Sequence, residues 1–256
     1  MKTMSWHSRR DCDLMNRPEL LLGRLSVFLV FCCCCASAEA PRQEDRAPTL
    51  VQATDGAAFP TVGPVTVAIS LLATVEPDGH ISETQVVDSI GSSDSGGHYQ
   101  GTLTGYIENS IAAVRLWRFS PTKDLSGKRT RSLASITFVY NKVNIGANLP
   151  RMETISPKPG SCYMPPLPMK ISRAEYPVHS IGTGTAVLTV RIGVYGSKSD
   201  IKIIKSVPLL DDAVSVNAVR GWEFQPAQFQ GKPIPSTAIV AFVYHITLKG
   251  KGHYGF

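Results

Sequence analysis

Ser93-Asp94-Ser95-Gly96-Gly97 has the residue types of a serine-nucleophile loop. Such a serine attacks only when a histidine takes its proton and a carboxylate orients that histidine. The stretch falls in a Gly/Ser loop between a predicted strand and a predicted helix, with no such pair at a defined spacing. His80, His98, His179, His245 and His253 show no His-x-x-x-His spacing, and no GxGxxG, phosphate-loop or HExxH motif occurs. Asp211-Asp212 has the form of an acid pair, but it stands where a helix opens, and the positive N-terminal end of a helix favours acidic side chains. The chain therefore reads as non-enzymatic, with no catalytic residue, no metal ligands and no cofactor.

The strongest pattern is structural. Ala113-Val114-Arg115-Leu116-Trp117-Arg118-Phe119-Ser120-Pro121 returns as Ala218-Val219-Arg220-Gly221-Trp222-Glu223-Phe224-Gln225-Pro226. Gly127-Lys128 returns as Gly231-Lys232, and Phe138-Val139-Tyr140 as Phe242-Val243-Tyr244. The two tryptophans lie 105 positions apart and the two tyrosines 104, so the repeat is a duplicated unit of domain size.

The elements that must carry this repeat follow from its periodicities. Val65–Val75 and Ile81–Asp88 are β-rich runs around Glu76-Pro77-Asp78-Gly79, a turn in which Pro presets φ and Gly accepts positive φ. Ile107, Ile111, Val114 and Trp117 have helical spacing, and Leu133–Tyr140 is a third strand. In the second copy Thr185–Tyr195, Asp200–Val207 and Ser236–Leu248 are strands, with a helix opening at Leu209-Leu210-Asp211-Asp212. Both units read strand–strand–helix–strand, which gives an α+β fold of two tandem ββαβ units. Trp117, Phe119, Trp222 and Phe224 fall where each helix meets its sheet and are expected in the cores. The units span 65–141 and 173–248, joined by a Pro-rich extended connection over 142–172. A linker over 39–64 precedes them, and a basic tail, 249–256, follows.

Arg9, Arg10, Arg17 and Arg24 precede the apolar run Leu25–Cys35, and Ala36-Ser37-Ala38 follows as a small-x-small cleavage signal. Residues 1–38 thus read as a secretory signal peptide, or as an N-terminal anchor if Leu20–Ala38 spans a membrane. Cys32 follows Phe31, which does not suit lipid attachment, so Cys32–Cys35 serve as small apolar residues. Removing the segment leaves Cys162 as the one cysteine, without an internal disulfide. The chain carries +6. Residues 1–38 hold five Lys/Arg and three Asp/Glu, so the remainder carries +4. No basic cluster with interleaved aromatics precedes the tail, which excludes a nucleic-acid partner.

The second unit resembles the C-terminal domain of TonB, the periplasmic energy transducer of Gram-negative bacteria. The resemblance covers about 174–246. It rests on Ala174-Glu175-Tyr176-Pro177, Gly184-Thr185-Ala186-Val187, Gly196, Ser206, Leu210-Asp211-Asp212-Ala213, Ala218-Val219, Trp222-x-Phe224-x-Pro226-Ala227, Gly231-Lys232-Pro233 and Phe242-Val243-Tyr244. The first unit keeps Gly79, Trp117-x-Phe119-x-Pro121, Gly127 and Phe138-x-Tyr140, as a degenerate copy. The resemblance implies a periplasmic protein-binding module, exported or held at the inner membrane of a Gram-negative bacterium. It would pair an extended segment of an outer-membrane receptor or envelope protein with an exposed sheet edge. The edge it implies is Thr237, Ile239, Ala241, Val243, His245 and Thr247, with Leu133–Tyr140 as the equivalent. Cover for so apolar an edge would come from a receptor peptide, a second copy in a homodimer, or the first unit. Residues 39–64 reach about 90 Å at full extension and lack a long Pro-rich spacer. That leaves a soluble envelope scaffold or adaptor as the alternative to transport, and a periplasmic hydrolase as a rival of another class.

Overall fold

The computed structural model describes residues 47–55, 66–92, 101–124, 126–142, 163–175 and 182–245. Residues 1–38, read above as a signal peptide or anchor, Ser93–Gly97, Cys162, Tyr176-Pro177, Thr247 and the basic tail lie outside these residues.

The first half contains β1 (Thr49–Gln52), β2 (Thr66–Val75), β3 (Ile81–Ser92), α1 (Thr104–Arg115), β4 (Arg118–Ser120) and β5 (Ser132–Lys142). The second contains β6 (Tyr163–Met164), β7 (Leu167–Lys170), β8 (Gly184–Ile192), β9 (Lys198–Lys205), α2 (Ala213–Arg220), β10 (Glu223–Gln225), β11 (Ala227–Phe229), β12 (Lys232–Ile234) and β13 (Ser236–His245). The architecture is α+β. Each half has more strands than the expected ββαβ. β1 lies in the stretch read as linker, and β6 and β7 lie in the Pro-rich connection. There β1 pairs with β4, setting Leu50 opposite Phe119, while β7 pairs with β10, setting Pro168 opposite Phe224. The extended backbone that prolines favour is also strand backbone, and it was the pairing that composition left unseen.

The hairpins form for matching reasons. Gly79 and Gly196 have φ of 89° and 77°, a region costly for residues with a Cβ. A Cβ on Gly79 would lie 2.1 Å from the Phe119 carbonyl oxygen, and one on Gly196 2.2 Å from that of Phe224. Glycine is therefore required twice over, for the turn and for the strand that crosses it.

The main sheet has six strands in the order β3-β2-β5-β13-β8-β9. Every neighbouring pair is antiparallel except β5 and β13, which run parallel. Their register sets Ala241 beside Phe138 and Phe242 beside Val139. The repeat equates Phe138 with Phe242, so the two halves meet one residue out of step. Side chains alternate along a strand, and a slip of one residue sends them to opposite faces. Phe138 and Tyr140 therefore enter one core with Trp117, and Phe242 and Tyr244 enter another with Trp222.

The cores interlock. Val187, Ile239, Ala241 and Val243 of the second half close the first core, and Ala68 and Val139 of the first half close the second. In α1 the fully buried stripe is Tyr106, Ser110, Ala113 and Val114, while Ile107 and Ile111 flank it. Trp117 and Trp222 are buried, and their indoles donate to the carbonyls of Thr54 at 3.4 Å and Ser172 at 2.8 Å. Beneath each helix a serine meets a tyrosine: Ser110 Oγ lies 2.8 Å from the Tyr140 hydroxyl, and Ser215 Oγ 2.7 Å from that of Tyr244. Burial pushes the Tyr140 phenol well above its ordinary value, and the Ser110 hydrogen bond only partly opposes it.

Candidate protein-interaction edges

The expected binding edge is not an edge in this fold. Thr237, Ile239, Ala241, Val243 and His245 lie in β13, which pairs with β8 on one side and β5 on the other. Ile239, Ala241 and Val243 are buried, and only His245 among the described members is exposed. The equivalent stretch Leu133–Tyr140 lies in β5, between β2 and β13. Of the three covers that such a strand could have, the structure provides the first unit. The reason is chemical: both faces of β13 are apolar, and a central position buries both, whereas β5 turns Ala134, Ile136, Phe138 and Tyr140 into the first core and buries Ser135 and Thr137 on its other face, Thr137 within 3.0 Å of the Ser70 hydroxyl.

Among the described residues the outer strands of the six-stranded sheet, with no strand paired beyond them, are β3 and β9. They are equivalent strands, and each is irregular at an equivalent place. Leu71 pairs with Val86 and Ser70 with Asp88, leaving Val87 unpaired; Leu188 pairs with Ile203 and Val187 with Lys205, leaving Ile204 unpaired. Such bulges strengthen twist and discourage unplanned pairing at an edge.

Their charges oppose. β3 carries Glu83 and Asp88 and no base, whereas β9 carries Lys198, Lys202 and Lys205 with Asp200. Lys198 Nζ donates to the Trp222 carbonyl, which directs it over the second core. Lys202 Nζ lies 3.1 Å from Asp200 on the solvated face. Lys205 Nζ lies 2.6 Å from Asp55 Oδ1 and 3.2 Å from the Thr185 carbonyl, and the Thr185 amide donates to the same Asp55 oxygen at 3.0 Å. At the hairpin beside β3, the Ser82 hydroxyl and then the Arg131 guanidinium hold the Glu76 carboxyl below the usual range.

The other chemistry-bearing residues are placed as structure. The Asp211 carboxylate accepts the Ala213 amide at 2.9 Å as α2 begins, and Asp212 accepts the Ser206 hydroxyl at 2.7 Å. Among the described residues no group of three or more His, Cys, Asp or Glu is placed to hold a metal ion, and no helix is long and apolar enough to cross a membrane.

A mixed sheet with one short helix packed per three-stranded half defines the class of domain. Residues 180–246, which hold β8 to β13, match the family model of the Gram-negative bacterial TonB protein C-terminal. That segment is a TonB C-terminal-like domain. Neither the curated proteins nor the solved structures yielded a match. The signal that pointed to the true edges was present in the sequence: Ala238–Tyr244 is an unbroken apolar run, whereas Ser199–Lys205 interleaves charge with isoleucine.

Proposed function

We propose that the chain is a non-enzymatic envelope module that binds a protein partner in the periplasm of a Gram-negative bacterium, by adding an extended segment of that partner to an open sheet edge. The observation that carries this reading is β9, an open edge strand within the matched segment 180–246. Strand addition gives affinity through backbone hydrogen bonds and selectivity through alternate side chains. The first half is a diverged copy of the same domain, supported by its matching Trp, Gly and Ser–Tyr geometry. A second reading, a scaffold or adaptor without a transport role, is favoured by the covered β13.

Photo-crosslinking side chains placed at Lys202 on β9, at Glu83 on β3 and at Thr237 on β13 test this in envelope extract. Adducts with a protein at position 202 or 83 and none at 237 are expected. Adducts only at 237, or at none of the three, overturn the edge reading.

A further inference from the structure

We infer that Asp55 is an internal stand-in for a partner's carboxylate, and that an extended acidic segment docks on the start of β8 by displacing it. This rests on the strand-addition reading above but uses a second place on the same sheet, the start of β8 past its pairing with β9 rather than the outer edge of β9, and it names the chemistry of the segment.

β8 is longer than the strand beside it. It pairs with β13 as far as Gly184, but with β9 only as far as Val187. Gly184, Thr185 and Ala186 therefore extend past the β9 pairing, and the chain leaving β9 turns beside them, with the Val207 side chain 3.8 Å from where a Cβ on Gly184 would lie. In a strand the N–H and C=O of one residue point to the same side, where a neighbouring strand would meet them. At Thr185 both groups are met by side chains instead. The amide donates to Asp55 Oδ1 at 3.0 Å, and the carbonyl accepts from Lys205 Nζ at 3.2 Å. A carboxylate and an ammonium thus imitate the carbonyl and amide of a missing strand residue. They also pair with each other at 2.6 Å.

Among the described residues the strap that carries Asp55 is anchored at Leu50, buried in the first core, and at Ala53, packed against it, and is exposed at Asp55. The Asp55 side chain is 59% exposed. The preceding strand, β1, makes only three register pairs with β4, through a bulge. The 3.4 Å bond from the Trp117 indole to the Thr54 carbonyl is a long one. An incoming strand can take both bonds of Thr185, while Lys205, 22% exposed, turns to a carboxylate of the newcomer. The recognised feature is then an extended backbone with an acidic side chain. A segment lacking the acid gives up the charge-assisted bond, which is the stronger kind.

The test uses the chain with two capped peptides, Thr-Val-Glu-Val-Thr-Val and its Gln twin, and follows the Thr185 amide by NMR titration. Asp55→Ala is expected to bind the Glu peptide about tenfold more tightly than the unaltered chain, because it frees a blocked site. The Gln twin should gain less, the Thr185 amide should be among the most shifted, and adding Lys205→Met should erase the Glu preference. Asp55→Asn, which keeps the side-chain shape, serves if the alanine variant does not fold. Equal affinity for the unaltered chain and the Asp55 variants would make Asp55 an inert strut and overturn the inference. Absence of binding to the folded variants would overturn it too. In both cases the crosslinks at 202 and 83 still decide strand addition itself.

Discussion

Trp117 and Trp222 sit in near-identical settings, while Asp88 and Lys205 hold equivalent edge positions with opposite charge. Inside, the two halves agree down to the serine beneath each helix and the glycine beneath each crossing strand. Outside, they have parted, and only the second half matches a known family model. The two halves share what the common sheet needs and differ in what faces water. The two edges are thereby unlike each other, so the protein offers one acidic and one basic edge where a symmetric pair would offer two of a kind.

If the halves are one folding unit, damage at their junction should exceed damage within either. Ala241→Pro removes a ladder donor and forces a ring into a strand paired on both sides. We expect loss of the folded state altogether, read as collapse of the circular dichroism signal and of thermal cooperativity. A folded variant would show that β13 tolerates an edge-like role. Next in size are the tryptophans. Trp117→Ala and Trp222→Ala should each cost about 3–5 kcal/mol, and each should shift a single urea transition because the cores share residues. Two separated transitions would break the comparison into independent domains.

The smallest effect concerns pH. The Tyr140 phenol is raised in the folded state by burial, so folding keeps a proton that the unfolded chain releases above about pH 10. Its contribution to stability is complete below that pH and is lost as pH rises beyond it, by up to about 1.4 kcal/mol per pH unit. Tyr140→Phe should flatten the alkaline limb of urea-derived stability between about pH 10 and 11. An unchanged limb would mean that the phenol ionises as freely folded as unfolded.

Much of the fold was legible because the repeat fixed it. The Trp-x-Phe-x-Pro block, the two hairpin glycines and the third-strand tyrosines lie where their spacing placed them. Three things were not. β1 and β7 are four residues each, too short for a period to show, and Pro168 masks β7. The buried stripe of α1 runs through Tyr106 and Ser110, because a hydrogen-bonded serine can face a core that apolar counting assigns to isoleucine. Most consequential was β13. Its length and apolarity were read as an unsatisfied edge, although a strand apolar on both faces belongs at the centre of a sheet. Which strand would lie beside it depends on contacts about a hundred positions away, which no local window contains.

The parallel junction also governs the order in which the chain can assemble. Ile239 pairs with Ile136, 103 positions earlier, whereas each hairpin and its helix join neighbours in sequence. Local pieces form quickly and distant pairings late. A chain delivered from its N-terminus presents β5 first, with one side of that strand bare and Ala68 and Val139 uncovered until the second half arrives. During that interval the first half is a sticky half-sheet, and its safe passage depends on prompt delivery of the rest or on a chaperone that shields it.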